Sequence, residues 1–256
     1  MASDSFASSR QRVARAQAHI RYLDTLVKAF IRRKPYKHVI QPHPDGIHEI
    51  HKLKARRRHL PRSFVDVSTD AIENLRAALD HAAYTIAIAH RITNPKILKS
   101  IAFPFGANHV AFTVRMRNCC PGFPKEILTL LESFKPYYGG DNILWAINEL
   151  ANTSKHKTLT TVAFRITEAY THEIRGMGNM QFPPQWDRAN NEFVLGMVKR
   201  KAHVTYNVSL AFNVGLDDIP SIAGNPICGA LNAITRKIDY IVTELELEAR
   251  RIGLPL

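Results

Sequence analysis

Two segments of the sequence place polar residues at helical spacing, and each contains a histidine. At about 100° per residue, Asn74, His81 and Thr85 share one helix face, with Arg76 and Asp80 to one side of it. Histidine is the usual general acid or base near neutral pH, and an arginine can hold a phosphate or stabilise developing negative charge. The first segment therefore offers the groups of a proton-transfer site.

The second polar segment lies between residues 142 and 157. Its polar side carries Trp145, Asn148, Glu149, Asn152 and His156, with Lys155 at the margin. One histidine on each helix could divide proton abstraction and proton donation in metal-independent cleavage of a phosphodiester. The predicted catalytic residues are Arg76, His81, Asn152, Lys155 and His156, and the predicted binding residues beside them are Asn74, Asp80 and Asn148.

The same polar residues also fit a purely structural role. Buried asparagine, aspartate and histidine side chains often satisfy backbone groups and fix the packing of helices. In a structural network, substitutions chiefly lower the melting temperature. In a catalytic site, they abolish RNA cleavage and leave the fold intact. Both alternatives stay open at the level of sequence, and with them the question of whether the chain is an enzyme.

Positive charge is the second chemical feature of the sequence. Lys and Arg total 35 against 22 for Asp and Glu, a formal net charge of +13 that favours RNA or another polyanion as partner. The densest basic run predicts phosphate-binding residues at Lys52, Lys54, Arg56, Arg57 and Arg58. An exposed, basic strand edge that resists aggregation explains this run equally well.

Metal, cofactor and membrane partners are not predicted. Four histidines lie between His38 and His51, but their spacing matches no zinc pattern. The three cysteines form no C-x-x-C pattern, and reduced thiols of a cytoplasmic protein are the simplest interpretation. We find no apolar signal-peptide core and no stretch of the roughly 18 apolar residues that a membrane span needs. We therefore expect a cytoplasmic protein.

Long helices must position the two polar faces. Apolar residues at spacings of three and four predict four helices, over about 8–33, 68–90, 142–157 and 226–252. Residues 68–70 are the N-cap candidates of the second helix. A short helix is predicted over 124–134, and the stretch before it, which holds Phe103 and Phe105, lacks a clear period. The turn sequence His43-Pro44-Asp45-Gly46 predicts a hairpin of strands 36–41 and 47–53.

Beyond residue 158 the period becomes that of strands. Segments 159–171, 192–198 and 204–214 predict an antiparallel sheet, with a long loop over 182–191. The chain is thus predicted to be a single α+β domain over 1–256, helical to about 157, with the sheet and a C-terminal helix from about 158 to 256. Neither terminal helix can bury its apolar stripe alone, so we expect them to pack on each other or on the body. A homodimer through these helices is the alternative.

Several segments resemble a widespread group of bacterial proteins of uncharacterised activity. Residues 70–81 resemble its G-D-x-x-H-N-L-R-S-x-L-D-H signature, and residues 150–157 resemble its L-x-N-x-D-K-H-R element. The first helix, Phe103-Pro104 and residues 134–137 resemble further elements of the group. Glu73, Ser154 and Lys157 depart from it, since the group has His, Asp and Arg there. The resemblance covers about residues 10–160. It implies membership of this group but no particular enzymatic reaction.

A looser resemblance links the chain to the HEPN superfamily of helical ribonucleases and RNA-binding domains. Arg76 and His81 match the superfamily's R-x(4–6)-H spacing. Asn152 and His156 match its N-x-x-x-H part, but Ala151 stands where the arginine should be. The resemblance implies RNA binding or metal-independent RNA cleavage. We therefore predict an RNA-binding or ribonuclease-like protein, with a non-enzymatic partner- or ligand-binding protein as the alternative.

Overall fold

Helices supply most of the regular structure. The computed structural model describes residues 5–33, 36–55, 61–156, 162–175, 185–187, 192–200, 205–216 and 225–256. In this part the helices are α1 Ala7–Arg32, α2 Arg62–Ala89, α3 Pro95–Ser100, α4 His109–Cys119, α5 Lys125–Ser133, α6 Asn142–His156 and α7 Ile227–Arg251. The strands are β1 Tyr36–Pro42, β2 His48–Ala55, β3 Val162–Arg175, β4 Gln185–Asp187, β5 Glu192–Lys199 and β6 Thr205–Leu216. The predicted α+β class is confirmed.

The core forms where α1, α2 and α7 pack together. Leu23 of α1, Leu75 of α2 and Leu231 of α7 are fully buried, and α7 contacts both other helices. Each such leucine contributes about 1.5–3 kcal/mol relative to an exposed side chain. The prediction that the terminal helices pack on each other or on the body is confirmed, since α1 and α7 contact each other and α2. Because their apolar stripes are buried within one chain, they no longer argue for a homodimer, which stays a prediction.

Helix α2 begins earlier than its sequence pattern predicts. The residue before it is Pro61, and its first residue is Arg62, so the start predicted at residues 68–70 is wrong. Ser68 lies inside the helix, where its hydroxyl donates to the Phe64 carbonyl at 2.5 Å. A buried serine that bonds to the carbonyl four residues earlier needs no capping role. The burial of Phe64 extends the apolar stripe of α2 back into its first turn.

Helices α3 and α4 occupy the stretch that was predicted to be irregular. Asn94 caps α3 and is followed by Pro95 at the first helical position. Asn108 caps α4, which buries Phe112 and Cys119. These helices are short and have little apolar periodicity, so their local caps are the stronger sequence signal. Between them, residues 101–105 form no regular structure.

The strands divide between two antiparallel sheets instead of forming the one sheet predicted. One sheet has the order β1-β2-β5-β4, and the other pairs β3 with β6. The hairpin of β1 and β2 is confirmed, and its turn places Gly46 at φ 71. Strand β4 lies inside the segment predicted as a long loop. Strand β5 joins β2 through pairs such as Lys54 with Glu192, so two distant segments of the sequence share a sheet.

Helix α6 is positioned at its first turn. The Asp141 carboxylate accepts the Leu144 N–H at 2.8 Å and so caps the first turn of the helix. The same carboxylate pairs with the Lys237 ammonium of α7 at 2.6 Å. This contact ties the start of α6 to the terminal helix. None of the helices among the described residues has the length and apolar character needed to cross a bilayer.

Candidate functional site

The polar face of α2 meets the first turns of α1. Asn74 accepts a hydrogen bond from Arg12 Nη1 at 3.2 Å, while its own amide donates to the Asp70 carbonyl at 2.8 Å. The Thr85 hydroxyl donates to the Ser5 carbonyl at 3.1 Å. The predicted face therefore exists, but its described contacts with other elements are with α1 and with Ser5, just before α1. Division of proton transfer between His81 and His156, as predicted from the sequence, requires instead a polar cleft between α2 and α6.

His81 is paired with a serine of α1. The Ser8 Oγ lies 2.6 Å from His81 Nδ1, within hydrogen-bonding distance. Burial lowers the pKa of His81, and the nearby Arg12 lowers it further, against a smaller opposing effect of Asp80. The neutral imidazole is therefore favoured at neutral pH. His81 is suited to accept a proton rather than to donate one.

Arg76 is engaged by groups of its own chain. Its guanidinium donates to the Asp80 carboxylate and to the Phe103 carbonyl, the latter at 3.4 Å, and lies 4.6 Å from the centre of the Phe105 ring. Asp80 also accepts the Phe103 N–H at 2.9 Å. With 16% of its side chain exposed, Arg76 anchors the 101–105 segment to α2. A phosphate would have to compete with these contacts.

A cavity of about 290 Å³ lies where α1, α2 and α6 meet. Its charged lining groups are Arg12, Asp70, Glu73, Arg76 and Asp80, and Ala151 contributes the α6 wall. Three carboxylates and two guanidinium groups thus line this cavity. Because like charges repel, this lining does not favour a phosphate.

A second cavity, of about 500 Å³, adjoins the first at Asp80. Its other lining residues are Ser8, His81, Tyr84, Thr85 and Ile101. Hydroxyl groups, an imidazole and a carboxylate line this space together with an aromatic ring and an aliphatic side chain. A cavity of this size with an apolar wall and a few convergent polar groups is typical of small-ligand sites.

The predicted residues of α6 are only partly described. Asn148 is half-buried and donates to Glu149 at 3.3 Å, while Asn152 is exposed. Lys155 and His156 belong to the last turn of α6, and their side chains lie outside the described part of the chain. Of the predicted site residues, the structure thus brings together Asn74, Arg76, Asp80 and His81 around the two cavities, with α6 beside the first.

The predicted polyanion-binding lysines have a carboxylate partner. Lys52 and Lys54 donate to Glu192 at 3.1 and 2.7 Å. The hydrogen bond from Lys54, supported by Lys52, lowers the pKa of the Glu192 carboxyl. Strand β2 lies between β1 and β5, so the alternative of an exposed strand edge is wrong for these lysines. The other residues predicted in this run, Arg56, Arg57 and Arg58, lie outside the described residues.

The histidines of the hairpin interact in pairs. The His38 and His51 rings have their centres 5.0 Å apart, and the Nδ1 atoms of His43 and His48 lie 3.1 and 2.6 Å from Asp45. The His48 contact, the largest cause, holds the pKa of Asp45 well below its usual range. Across the described ranges, no group of three or more His, Cys, Asp or Glu residues is arranged to hold a metal ion.

The adjacent cysteines are free and buried. Burial, with a smaller effect of Cys119, raises the pKa of the Cys120 thiol to about 12. The Cys120 thiol also lies 3.6 Å from the Ala102 carbonyl oxygen. A protonated, buried thiol is a poor nucleophile, so these cysteines are suited to packing.

The cavity residues Ser8 and Arg12 were missed from the sequence. Their i, i+4 spacing places them on one face of α1, and this is the signal that could have found them. Compared with protein-family models, with curated proteins and with solved structures, the chain has no match. The function must therefore be argued from the geometry of the cavities.

Proposed function

We propose that this chain is a ligand-binding protein whose ligand occupies the 500 Å³ cavity beside His81. The observation that carries the proposal is that His81, Tyr84 and Thr85 of α2 open onto this cavity together with Ile101. Packing against Tyr84 and Ile101 would hold the apolar part of the ligand. Hydrogen bonds to His81 and Thr85 would orient its polar part.

The contacts of Arg76 favour ligand binding over the ribonuclease-like alternative. Its guanidinium already bonds to Asp80 and Phe103, and the adjoining cavity holds three carboxylates. Phosphodiester cleavage at this arginine would require it to leave these partners and bind an anion beside Asp70 and Glu73. A neutral ligand in the neighbouring cavity requires neither change.

RNA binding remains a second candidate because of the net charge of +13. Exposed arginines on α1, Arg15, Arg21 and Arg32 among them, suit phosphates without sequence preference. Tyr84 has 45% of its surface exposed and offers a ring on which an unpaired base can stack. We also propose a cytoplasmic location. The three free cysteines fit it, because thiols stay reduced there.

Indole is a suitable probe of the cavity because it combines a flat apolar ring with one N–H donor. We expect nuclear magnetic resonance titration to give a Kd of about 1 mM, with shifts at residues that line the cavity. Ile101→Trp fills the cavity and should weaken indole binding at least tenfold. Val110→Trp, at a residue 72% exposed on α4, is the matched control and should bind like the wild type.

Two results would count against the cavity as the ligand site. One is indole binding that Ile101→Trp leaves unchanged, and the other is the absence of shifts at the lining residues. A single-stranded oligo-uridine, followed by fluorescence anisotropy, tests the second candidate in parallel. Tight RNA binding that weakens steeply with salt, combined with no binding of indole, would favour RNA as the partner.

A further inference from the structure

We infer that Ser8 and His81 form a nucleophile–base pair that transfers acyl groups from neutral carboxylic esters bound in the 500 Å³ cavity. This inference rests on the proposed function, since it names the ligand class of the same cavity. It assigns catalytic roles to Ser8 as nucleophile and to His81 as base. Arg76 and Lys155, which the sequence predicted as catalytic, take no part in this reaction.

The geometry of the pair is that of an activated serine. Ser8 is exposed in the first turn of α1, and His81 lies 73 positions later on α2. Their Oγ and Nδ1 atoms are 2.6 Å apart, within the range over which a base activates a hydroxyl. When His81 carries its proton on Nε2, the Ser8 hydroxyl donates to Nδ1. Both groups line the cavity, so a substrate there can reach the serine oxygen.

The protonation state of His81 suits a general base. Partial burial and the charge of Arg12 both lower its pKa, so the imidazole is uncharged at neutral pH. An uncharged imidazole can take the serine proton as the serine attacks. Once protonated, it can return that proton to the leaving group.

The first turn of α1 provides stabilisation for an oxyanion. The backbone N–H groups of a first helical turn have no partner within the helix and carry the positive end of its dipole. Arg12 lies one turn beyond Ser8 and adds a positive charge on the same side of the helix. Negative charge that develops beside Ser8 therefore meets fixed positive charge.

The cavity lining selects the substrate class. Tyr84 and Ile101 provide apolar surface for a short acyl chain, and Thr85 adds a hydroxyl. Asp80 lines the same cavity and disfavours anionic substrates. Neutral esters with small apolar groups fit this lining, whereas acyl phosphates and free carboxylates do not.

The reaction is balanced with an ester and water alone. Ser8 Oγ forms a bond to the carbonyl carbon while its proton moves to His81 Nδ1. The tetrahedral intermediate expels the alkoxide, which takes the proton from His81, and an acyl-serine remains. Water then attacks the acyl-serine as His81 accepts its proton, and collapse releases the carboxylic acid and regenerates the Ser8 hydroxyl.

A fluorophosphonate, which reacts with activated serines, tests the pair in the full chain. We expect one adduct per chain, located on Ser8 by peptide mass spectrometry and absent from Ser8→Ala. Ser133→Ala is the matched control, because Ser133 is exposed and its hydroxyl donates to the Leu130 carbonyl at 2.7 Å. His81→Gln should slow the reaction about a hundredfold.

The pH dependence separates catalysis from a structural hydrogen bond. The wild-type labelling rate should rise through the titration of His81 and then level off, and His81→Gln should lose this inflection. If His81→Gln does not fold, His81→Ala with added imidazole should recover labelling. Labelling of Ser133 at the same rate as Ser8, or a Ser8 rate indifferent to His81, would overturn the inference.

The two proposals can fail separately. Indole binding without labelling of Ser8 would leave the cavity as a binding site and remove the acyl-transfer activity. Labelling of Ser8 without indole binding would support the nucleophile and contradict the cavity's affinity for aromatic ligands. Hydrolysis of 4-nitrophenyl acetate that Ser8→Ala abolishes and Ser133→Ala retains would support the full reaction.

Discussion

Replacement of Arg76 by alanine removes several contacts at once. The charge-assisted hydrogen bond to Asp80 contributes about 1.5–3 kcal/mol in a part-buried setting, and the position over the Phe105 ring adds about 0.5–1 kcal/mol. The bond to the Phe103 carbonyl is long at 3.4 Å and contributes little. Asp80 is 35% exposed, so water recovers part of the loss. We expect Arg76→Ala to lower the free energy of unfolding by about 2–3 kcal/mol.

Urea denaturation followed by circular dichroism measures this loss. Arg15→Ala is the matched control, since it removes an exposed arginine and should change stability by less than about 0.5 kcal/mol. Asp80→Ala and the double variant complete a cycle that isolates the pair. We expect a coupling energy of about 1–2 kcal/mol, because each single change leaves a part-buried charge without its partner.

One result would refute the structural role of Arg76. If Arg76→Ala unfolds at the same urea concentration as the wild type but loses RNA binding or cleavage, its contacts with Asp80 do not anchor the 101–105 segment. The arginine would then belong to the ribonuclease-like site that the sequence predicted. If Arg76→Ala is less stable than the wild type but still binds indole, the role of Arg76 is structural.

Two further changes test the packing of other elements. Gly106→Ala would bring a Cβ atom within 2.3 Å of the Phe112 nitrogen, so calorimetry should show a fall in Tm of several degrees. Gly229→Ala is the control, because a Cβ atom has room at this position in α7 and should not lower the Tm. Glu192→Gln should cost about 2 kcal/mol at neutral pH, because two lysines lose their charged partner. Since folding lowers the pKa of Glu192, this stabilisation is complete above the ordinary glutamate pKa and is lost as pH falls through the lower folded value. An unchanged Tm in the first variant, or a pH-independent difference in the second, would contradict these expectations.

Local signals in the sequence predict most individual elements. The bounds of α1, α5, α6 and α7 are within one or two residues of those predicted, because helical periodicity and the break residues are properties of short segments. The hairpin follows from Pro-Asp-Gly for the same reason. The asparagines at Asn94 and Asn108 were equally local signals, and attention to capping would have found α3 and α4.

Tertiary partners could not be predicted in the same way. A helical wheel shows that Asn74, His81 and Thr85 share a face, but it does not show whether α1 or α6 covers that face. The pairing of β5 with β2 likewise depends on which strands meet after folding, and alternation within a strand carries no such information. The Ser8–His81 contact joins two helices that packing alone brings together.

The pairing of β2 with β5 has a consequence for synthesis on the ribosome. Lys52 and Glu192 are 140 positions apart, so at about 5–20 residues per second β2 is translated on the order of ten seconds before its partner. A hairpin of β1 and β2 that forms during that interval has an open strand edge, and open edges can pair with other chains. Lys52 and Lys54 give that edge a positive charge until β5 has been translated. Once β5 has been synthesised, the Glu192 carboxylate pairs with both lysines, so the side chains that lie on an open edge in the nascent hairpin join two strands in the finished sheet.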